Sequence, residues 1–297
     1  MKMRQLLYST LILVILISCN RNRQTTESQS IEEGVISTEQ LEDMKEIYYR
    51  FPSPDEMLSF IDKEELNFDD DVLLPVQYAR NYLDSKSQAL NLGIYIADLA
   101  YITLFQRQKE ALIYFQVVYG LSDKLRISSA FDPDLLQRIE NNLNNPDSIK
   151  LYADEAMTDI TDYLAQNEKE KTFTVISIGG FVESLYLAFN LTGDFDSDNL
   201  IVQRISDQKL VMENLINYSL DYAGDKNVAE VIEMLHPMRS VFNELTTTRI
   251  KTTVEKSEDG TLIISGGEKI TMTEEQFNKL KTTTFAVRKL ITENQEN

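Results

Sequence analysis

The chain has 297 residues, of which 42% are hydrophobic and 26% charged, so it is long enough to fold around one large core or two modest ones. Acidic residues outnumber basic ones 48 to 29, for a formal net charge of −19. That charge repels phosphate backbones, so we expect no nucleic-acid partner. The only histidine is His236 and the only cysteine is Cys19, which excludes a multi-histidine metal centre and an intramolecular disulfide.

The first eighteen residues have the three parts of an export signal. Lys2 and Arg4 supply positive charge, residues 6–17 are mostly apolar, and the small Ser18 precedes the expected cleavage point. The apolar run is shorter than the roughly 20 residues that a transmembrane helix needs. We therefore predict a signal peptide over residues 1–18.

The tetrad Leu16-Ile17-Ser18-Cys19 resembles the lipobox of bacterial lipoproteins. The resemblance implies that Cys19 is acylated, with palmitate-like chains, and becomes the first residue of a membrane-anchored protein of the cell envelope. An aspartate after the cysteine would resemble an inner-membrane retention signal; Asn20 stands there instead, so the resemblance favours the outer membrane. A periplasmic and a surface-facing orientation both remain open. The alternative is an ordinary secretory signal that happens to end in cysteine.

After the signal, residues 19–37 are polar and predict a lipidated N-terminus with a flexible tether. Residues 38–297 contain no linker-like stretch and predict one all-α domain, an array or bundle of about ten helices. Apolar periodicity, caps and breakers predict helices over 38–50, 54–63, 76–84, 87–105, 108–125, 133–143, 147–168, 173–191, 198–222 and 227–245.

The pattern changes near the end of the chain. Residues 248–272 are rich in β-branched side chains and glycine-containing turns, which predicts a small antiparallel β-hairpin or a three-stranded meander. Thr273 and Gln276 then have the spacing of a capping box. We expect them to begin a last helix with an apolar face of Phe277, Leu280, Val287 and Ile291.

Two patterns partly match known metal sites. Asp194, Asp196 and Asp198 have the alternate spacing of a calcium loop, but Asn199 replaces the turn glycine and Ile205 the closing glutamate, so we expect no metal cofactor there. The three residues are also suited to capping the next helix. His236 lies three residues after Glu233 as in a di-iron motif, which would require a second copy.

Two solitary acids are the more informative feature. Asp98 is the only charge between Asn91 and Gln106, and Glu183 the only one between Thr172 and Asn190, so both are expected in buried helices. Tyrosines follow each acid three residues later, at Tyr101 and Tyr186. Helix glycines lie near both acids, at Gly93, Gly179 and Gly180, and would allow close helix packing.

A buried carboxylate needs hydrogen-bond donors or a proton. Lys209 and its neighbour Gln208 lie on or beside an apolar stripe of a later helix, and we predict that they join Asp98, Glu183, Tyr101 and Tyr186 in one polar network. A structural network that fixes helix register is favoured over a functional pocket.

The segments around Asp98 and Glu183, together with Asp207-Gln208-Lys209, resemble motifs of uncharacterised helical lipoproteins from gram-negative bacteria. The resemblance covers residues 51 to about 245 and implies no activity. We therefore expect a non-enzymatic, membrane-anchored domain that binds or scaffolds an unknown envelope partner. The alternative is an envelope enzyme that uses a pocket of Asp98, Glu183 and Lys209.

Overall fold

The structure is a computed structural model that describes residues 66–256 and 262–293. Within these ranges it is helical apart from one β-hairpin, which confirms the predicted fold class. The α-helices are α1 (Ser85–Leu104), α2 (Gln108–Lys124), α3 (Leu135–Asn141), α4 (Pro146–Gln166), α5 (Glu170–Thr192), α6 (Leu200–Leu220), α7 (Lys226–Glu244) and α8 (Glu274–Glu293). The strands are β1 (Thr246–Lys256) and β2 (Leu262–Thr271), and 3₁₀ helices occupy Val76–Asn81 and Ser128–Ala130.

Several predictions fall outside the described residues. They are the signal peptide, Cys19, the tether and the helices expected over 38–50 and 54–63. Among the described residues, the helix expected over 76–84 is a 3₁₀ helix that ends at Asn81, because Tyr82 is extended. The side chain of Asp84 then begins α1 by accepting a hydrogen bond from Ser87 N.

The central packing unit is the pair of helices α1 and α5. Their backbones touch where Gly93 faces Ile176 and Gly179 faces Leu90: a Cβ atom at either glycine would lie only 2.0 Å from the facing carbonyl oxygen. The absence of these side chains lets the two helices approach closely. Of the described helices, α5 alone has the length and apolar composition to cross a bilayer, and 83% of its apolar window is buried inside the protein. Its hydrophobicity is accounted for by its place in the core.

The hairpin and last helix follow α7. Strand β1 pairs antiparallel with β2 from Thr246 opposite Thr271, so the described strands form a two-stranded hairpin rather than a meander. The capping box forms as predicted: Thr273 N donates to Gln276 Oε1, and Gln276 N donates to Thr273 Oγ1. The predicted apolar face of α8 is buried. It packs on α1, α5 and α7, which places the last described helix beside the central helices.

Candidate functional site

The two solitary acids lie in the core between the central helices. Asp98 is on α1 and Glu183 on α5, and neither has any exposed surface. Each is close enough to influence the protonation of the other. The close glycine packing of α1 against α5 therefore brings together two carboxyl groups that are 85 positions apart in the numbering.

Glu183 is paired with an arginine from the last helix. Arg288 Nε donates to Glu183 Oε2 over 2.6 Å, and Arg288 Nη2 donates to Glu183 Oε1 over 2.9 Å. Two parallel charge-assisted bonds fix both the distance and the plane of the guanidinium group. The centroid of the Tyr186 ring lies 3.8 Å from Arg288 Cζ, so the ring covers one face of the cation. The arginine side chain is only 14% exposed, so the ion pair is shielded from solvent.

Asp98 is the neutral acid of the pair, and Glu183 is the charged one. Burial, reinforced by the negative charge of Glu183, raises the pKa of Asp98 well above its usual range. Asp98 Oδ1 is buried without a hydrogen-bond partner of its own, so a proton on this carboxyl group gives it a donor toward Glu183. Burial also raises the pKa of Glu183, but Arg288 opposes that shift. We therefore assign the proton to Asp98 and the negative charge to Glu183.

The same side chains hold the stretch of chain that precedes the helices. We call residues Asp69–Pro75 the docked segment; its Val72, Leu73 and Leu74 side chains are buried in the core. Asp98 Oδ2 accepts from Leu74 N over 3.1 Å. On the other side of the network, Arg288 Nη2 donates to Val72 O over 3.2 Å. The buried acid and the arginine thus both bind the backbone of this segment.

Three tyrosines complete the contacts with the docked segment. Tyr114 donates to Leu74 O and Tyr95 donates to Pro75 O, each over 3.0 Å. Tyr101 accepts from Asp69 N over 3.0 Å. Burial raises the pKa of all three hydroxyl groups above the ordinary value, so they stay neutral and keep their donor protons.

Lys209 does not take the place that the sequence predicts for it. Its Nζ donates to Leu245 O over 3.2 Å and to Thr247 Oγ1 over 3.3 Å, at the start of the hairpin. The prediction that Lys209 is the donor for the buried acids is therefore corrected: that donor is Arg288. Gln208, beside Lys209 on α6, is half-buried and likewise takes no part in the described contacts of the two acids.

The other candidate residues lie apart from this network. Asp196 Oδ1 accepts from Asp198 N, while the cap of α6 is Asn199, whose Oδ1 accepts from Ile201 N. Across the described ranges, no group of three or more histidine, cysteine, aspartate or glutamate side chains is arranged to hold a metal ion. Asp194, Asp196 and Asp198 therefore do not converge on a metal site. His236 is an exposed residue of α7.

A separate cleft opens between α1, α2 and α4. Its lining is mostly apolar and includes Leu99, Phe115 and Met157. Asp154 is its one lining carboxylate, and that side chain pairs with Lys150 on the same helix. Neither Asp98 nor Glu183 lines this cleft.

Arg288 and the docked segment are the parts of the site that the sequence does not reveal. The run Val72-Leu73-Leu74 before Pro75 is a usable signal for the segment: it is apolar and too short for a helix, and proline disfavours helical geometry at the residue before it. Arg288 adjoins the apolar face of α8 at Val287, but nothing in the spacing of that helix indicates Glu183 as its partner. Comparison with known proteins adds no further guide, because no family model, curated protein or solved structure matches this chain.

Proposed function

We propose that this chain is a lipid-anchored protein of the bacterial cell envelope, whose helical domain binds or scaffolds another envelope component without catalysing a reaction. The proposal of a non-enzymatic role rests on the surroundings of the two buried acids. Asp98 and Glu183 have no exposed surface, and their hydrogen bonds go to the docked segment and to Arg288. A catalytic acid must reach a substrate, and with the docked segment in place these carboxyl groups contact the protein's own residues.

The proposal of lipid anchoring rests on the sequence of residues 1–37. Cys19 is the only cysteine and ends a tetrad like a lipobox, after a charged and then an apolar stretch. Two or more acyl chains on one residue hold a protein on a membrane far longer than one chain does. If residues 20–37 form the predicted tether, its reach is on the order of 20–25 Å, enough to hold a domain clear of lipid headgroups.

The experiment compares the Cys19→Ser variant with the unsubstituted chain in cells that are fed an alkyne-tagged fatty acid. We expect the unsubstituted chain to carry the tag and to sediment with membranes. The variant should lose the tag and leave the membrane fraction, since serine cannot form the thioether. Ser18→Ala is the matched control, because alanine is also small and leaves Cys19 in place. Tagging or membrane sedimentation of Cys19→Ser at the control's level would contradict lipid anchoring.

The same cells test for a partner. Crosslinking before lysis should give discrete adducts of the unsubstituted chain that are lost or reduced in Cys19→Ser, because the anchor keeps the domain near its partner. If the anchored chain gives no adduct at any crosslinker concentration that captures known envelope complexes, the scaffolding role is wrong.

A further inference from the structure

We infer that the groove around the docked segment is a binding site for extended apolar peptides, which the protein's own chain occupies. We call this groove the docking groove; its polar side chains are Tyr95, Asp98, Tyr101, Tyr114 and Arg288. The inference does not rest on lipid anchoring, because it concerns only described residues of the helical domain.

The first support is what the groove recognises. All five of its polar side chains bond to main-chain atoms of the docked segment: the N–H of Asp69 and Leu74, and the C=O of Val72, Leu74 and Pro75. Main-chain atoms are common to every peptide, so such contacts provide affinity for an extended chain with little regard to its sequence.

The second support is how the segment is held. The backbone-to-backbone hydrogen bonds that the described residues provide to it are local, from Leu73 N to Asp70 O and from Tyr78 N to Pro75 O. Its hydrogen bonds to the helices are made through side chains of the groove. A segment held in this way can leave without breaking the hydrogen bonds within any described α-helix or strand.

The burial of the docked segment indicates which peptides the docking groove would select. Val72, Leu73 and Leu74 are 8%, 7% and 2% exposed, so the groove shields three consecutive side chains from water and favours apolar residues there. Asp69, Asp70 and Asp71 are exposed and set no requirement. Asp98 needs an N–H group at the position of Leu74, which excludes proline there, whereas Tyr95 uses only the C=O of Pro75. The expected ligand is an extended peptide with three apolar residues and an optional proline after them.

The test frees the groove and offers the segment as a separate molecule. Leu74→Asp in the Cys19→Ser chain places a charge at a position that is 2% exposed, which disfavours docking of its own segment. A fluorescent peptide with the sequence of residues 67–76 should then bind at least about ten-fold more tightly than it binds the chain with native Leu74. Fluorescence anisotropy measures both affinities.

Two controls separate groove binding from general stickiness. Leu83→Asp makes the same change at a side chain that is 85% exposed and should bind the peptide no better than native Leu83 does. A peptide N-methylated at the residue that corresponds to Leu74 lacks the N–H for Asp98 and should bind much more weakly. If Leu74→Asp keeps native circular dichroism but gains no affinity, or if both peptides bind equally, the inference is wrong.

If Leu74→Asp fails to fold, hydrogen exchange of the chain with native Leu74 tests whether the docked segment leaves the docking groove. In the chain with native Leu74, we expect the amides of residues 72–74 to exchange at least about ten-fold faster than the slowest amides of α5. Equal exchange in the two regions would mean that the segment leaves only when the whole domain unfolds. That result would overturn the proposed peptide site.

Discussion

At the scale of single residues, Asp98 and Glu183 show how one buried site can hold two acids in different protonation states. Glu183 faces a guanidinium group that forms two hydrogen bonds with it, whereas Asp98 faces a backbone N–H and the other carboxyl group. Ionising two adjacent carboxyl groups in the core is energetically unfavourable, because burial and mutual repulsion both oppose it. The acid without the arginine therefore keeps the proton.

This assignment predicts a pH dependence of stability that Asp98→Asn removes. The asparagine amide can accept from Leu74 N–H and donate to Glu183, as the protonated aspartate does, but it cannot ionise. The folded-state pKa of Asp98 is raised, so its contribution to stability is complete below the unfolded pKa, near pH 4, and is lost as the pH rises toward the folded value. Relative to Asp98→Asn, the native chain should lose up to about 1.4 kcal/mol of unfolding free energy per pH unit above that point.

Urea denaturation of both proteins between pH 4 and pH 9 measures this difference. Titrations of groups away from the network are shared by the two proteins and cancel, so the difference reports residue 98 together with its effect on Glu183. Parallel curves would show that Asp98 is already ionised in the folded protein, and the proton would then have to be reassigned.

The sequence predicts part of this site, and the limit is physical. A lone charge in an otherwise apolar helix indicates burial, which is how Asp98 and Glu183 could be singled out. The donor was predicted wrongly, because Lys209 and Arg288 both lie on or beside the apolar face of a helix. Periodicity shows which face of a helix is buried, but not which other helix packs on it. Arg288 is 105 residues from Glu183, and only the packing of α8 against α5 joins them.

At the scale of elements, the contact between α1 and α5 depends on the absence of two side chains. Gly93→Ala or Gly179→Ala would place a Cβ atom 2.0 Å from a backbone oxygen that cannot rotate away. Either change should separate the helices and cost about 3 kcal/mol or more of unfolding free energy. Gly180→Ala is the matched control on the same helix, since its Cβ would lie 3.5 Å from Gly93 O, an ordinary contact.

Thermal or urea denaturation distinguishes the three variants. Equal stability of Gly179→Ala and Gly180→Ala would contradict the close helix contact. The sequence indicates that helix glycines allow neighbouring helices to approach, but it does not show which of two adjacent glycines makes the contact. That depends on the rotation of α5 about its axis. A Cβ atom at Gly179 would overlap the backbone of Leu90, whereas one at Gly180 would make an ordinary contact with Gly93.

At the scale of the whole molecule, the described residues nearest the two ends of the chain meet on the central helices. The docked segment precedes α1, and Arg288 lies on α8; Arg288 bonds both to Val72 O and to Glu183. Local patterns predict most of the described helices and the hairpin because caps and periodicity are local properties. The meeting of the first and last described parts depends on contacts up to 216 residues apart, which no local pattern encodes.

The central claim is that the buried acids form a structural network rather than a catalytic one, and a double-mutant cycle between Glu183 and Arg288 tests it most directly. Arg288→Met should cost about 3–5 kcal/mol of unfolding free energy, because it leaves Glu183 charged and unpaired in the core. Lys209→Met serves as the control, since that lysine is half-buried at the hairpin and should matter much less. Adding Glu183→Gln to Arg288→Met should recover at least about 1 kcal/mol relative to the sum of the single changes. Additivity within about 0.5 kcal/mol would contradict the claim, because the two side chains would then not stabilise the fold through each other.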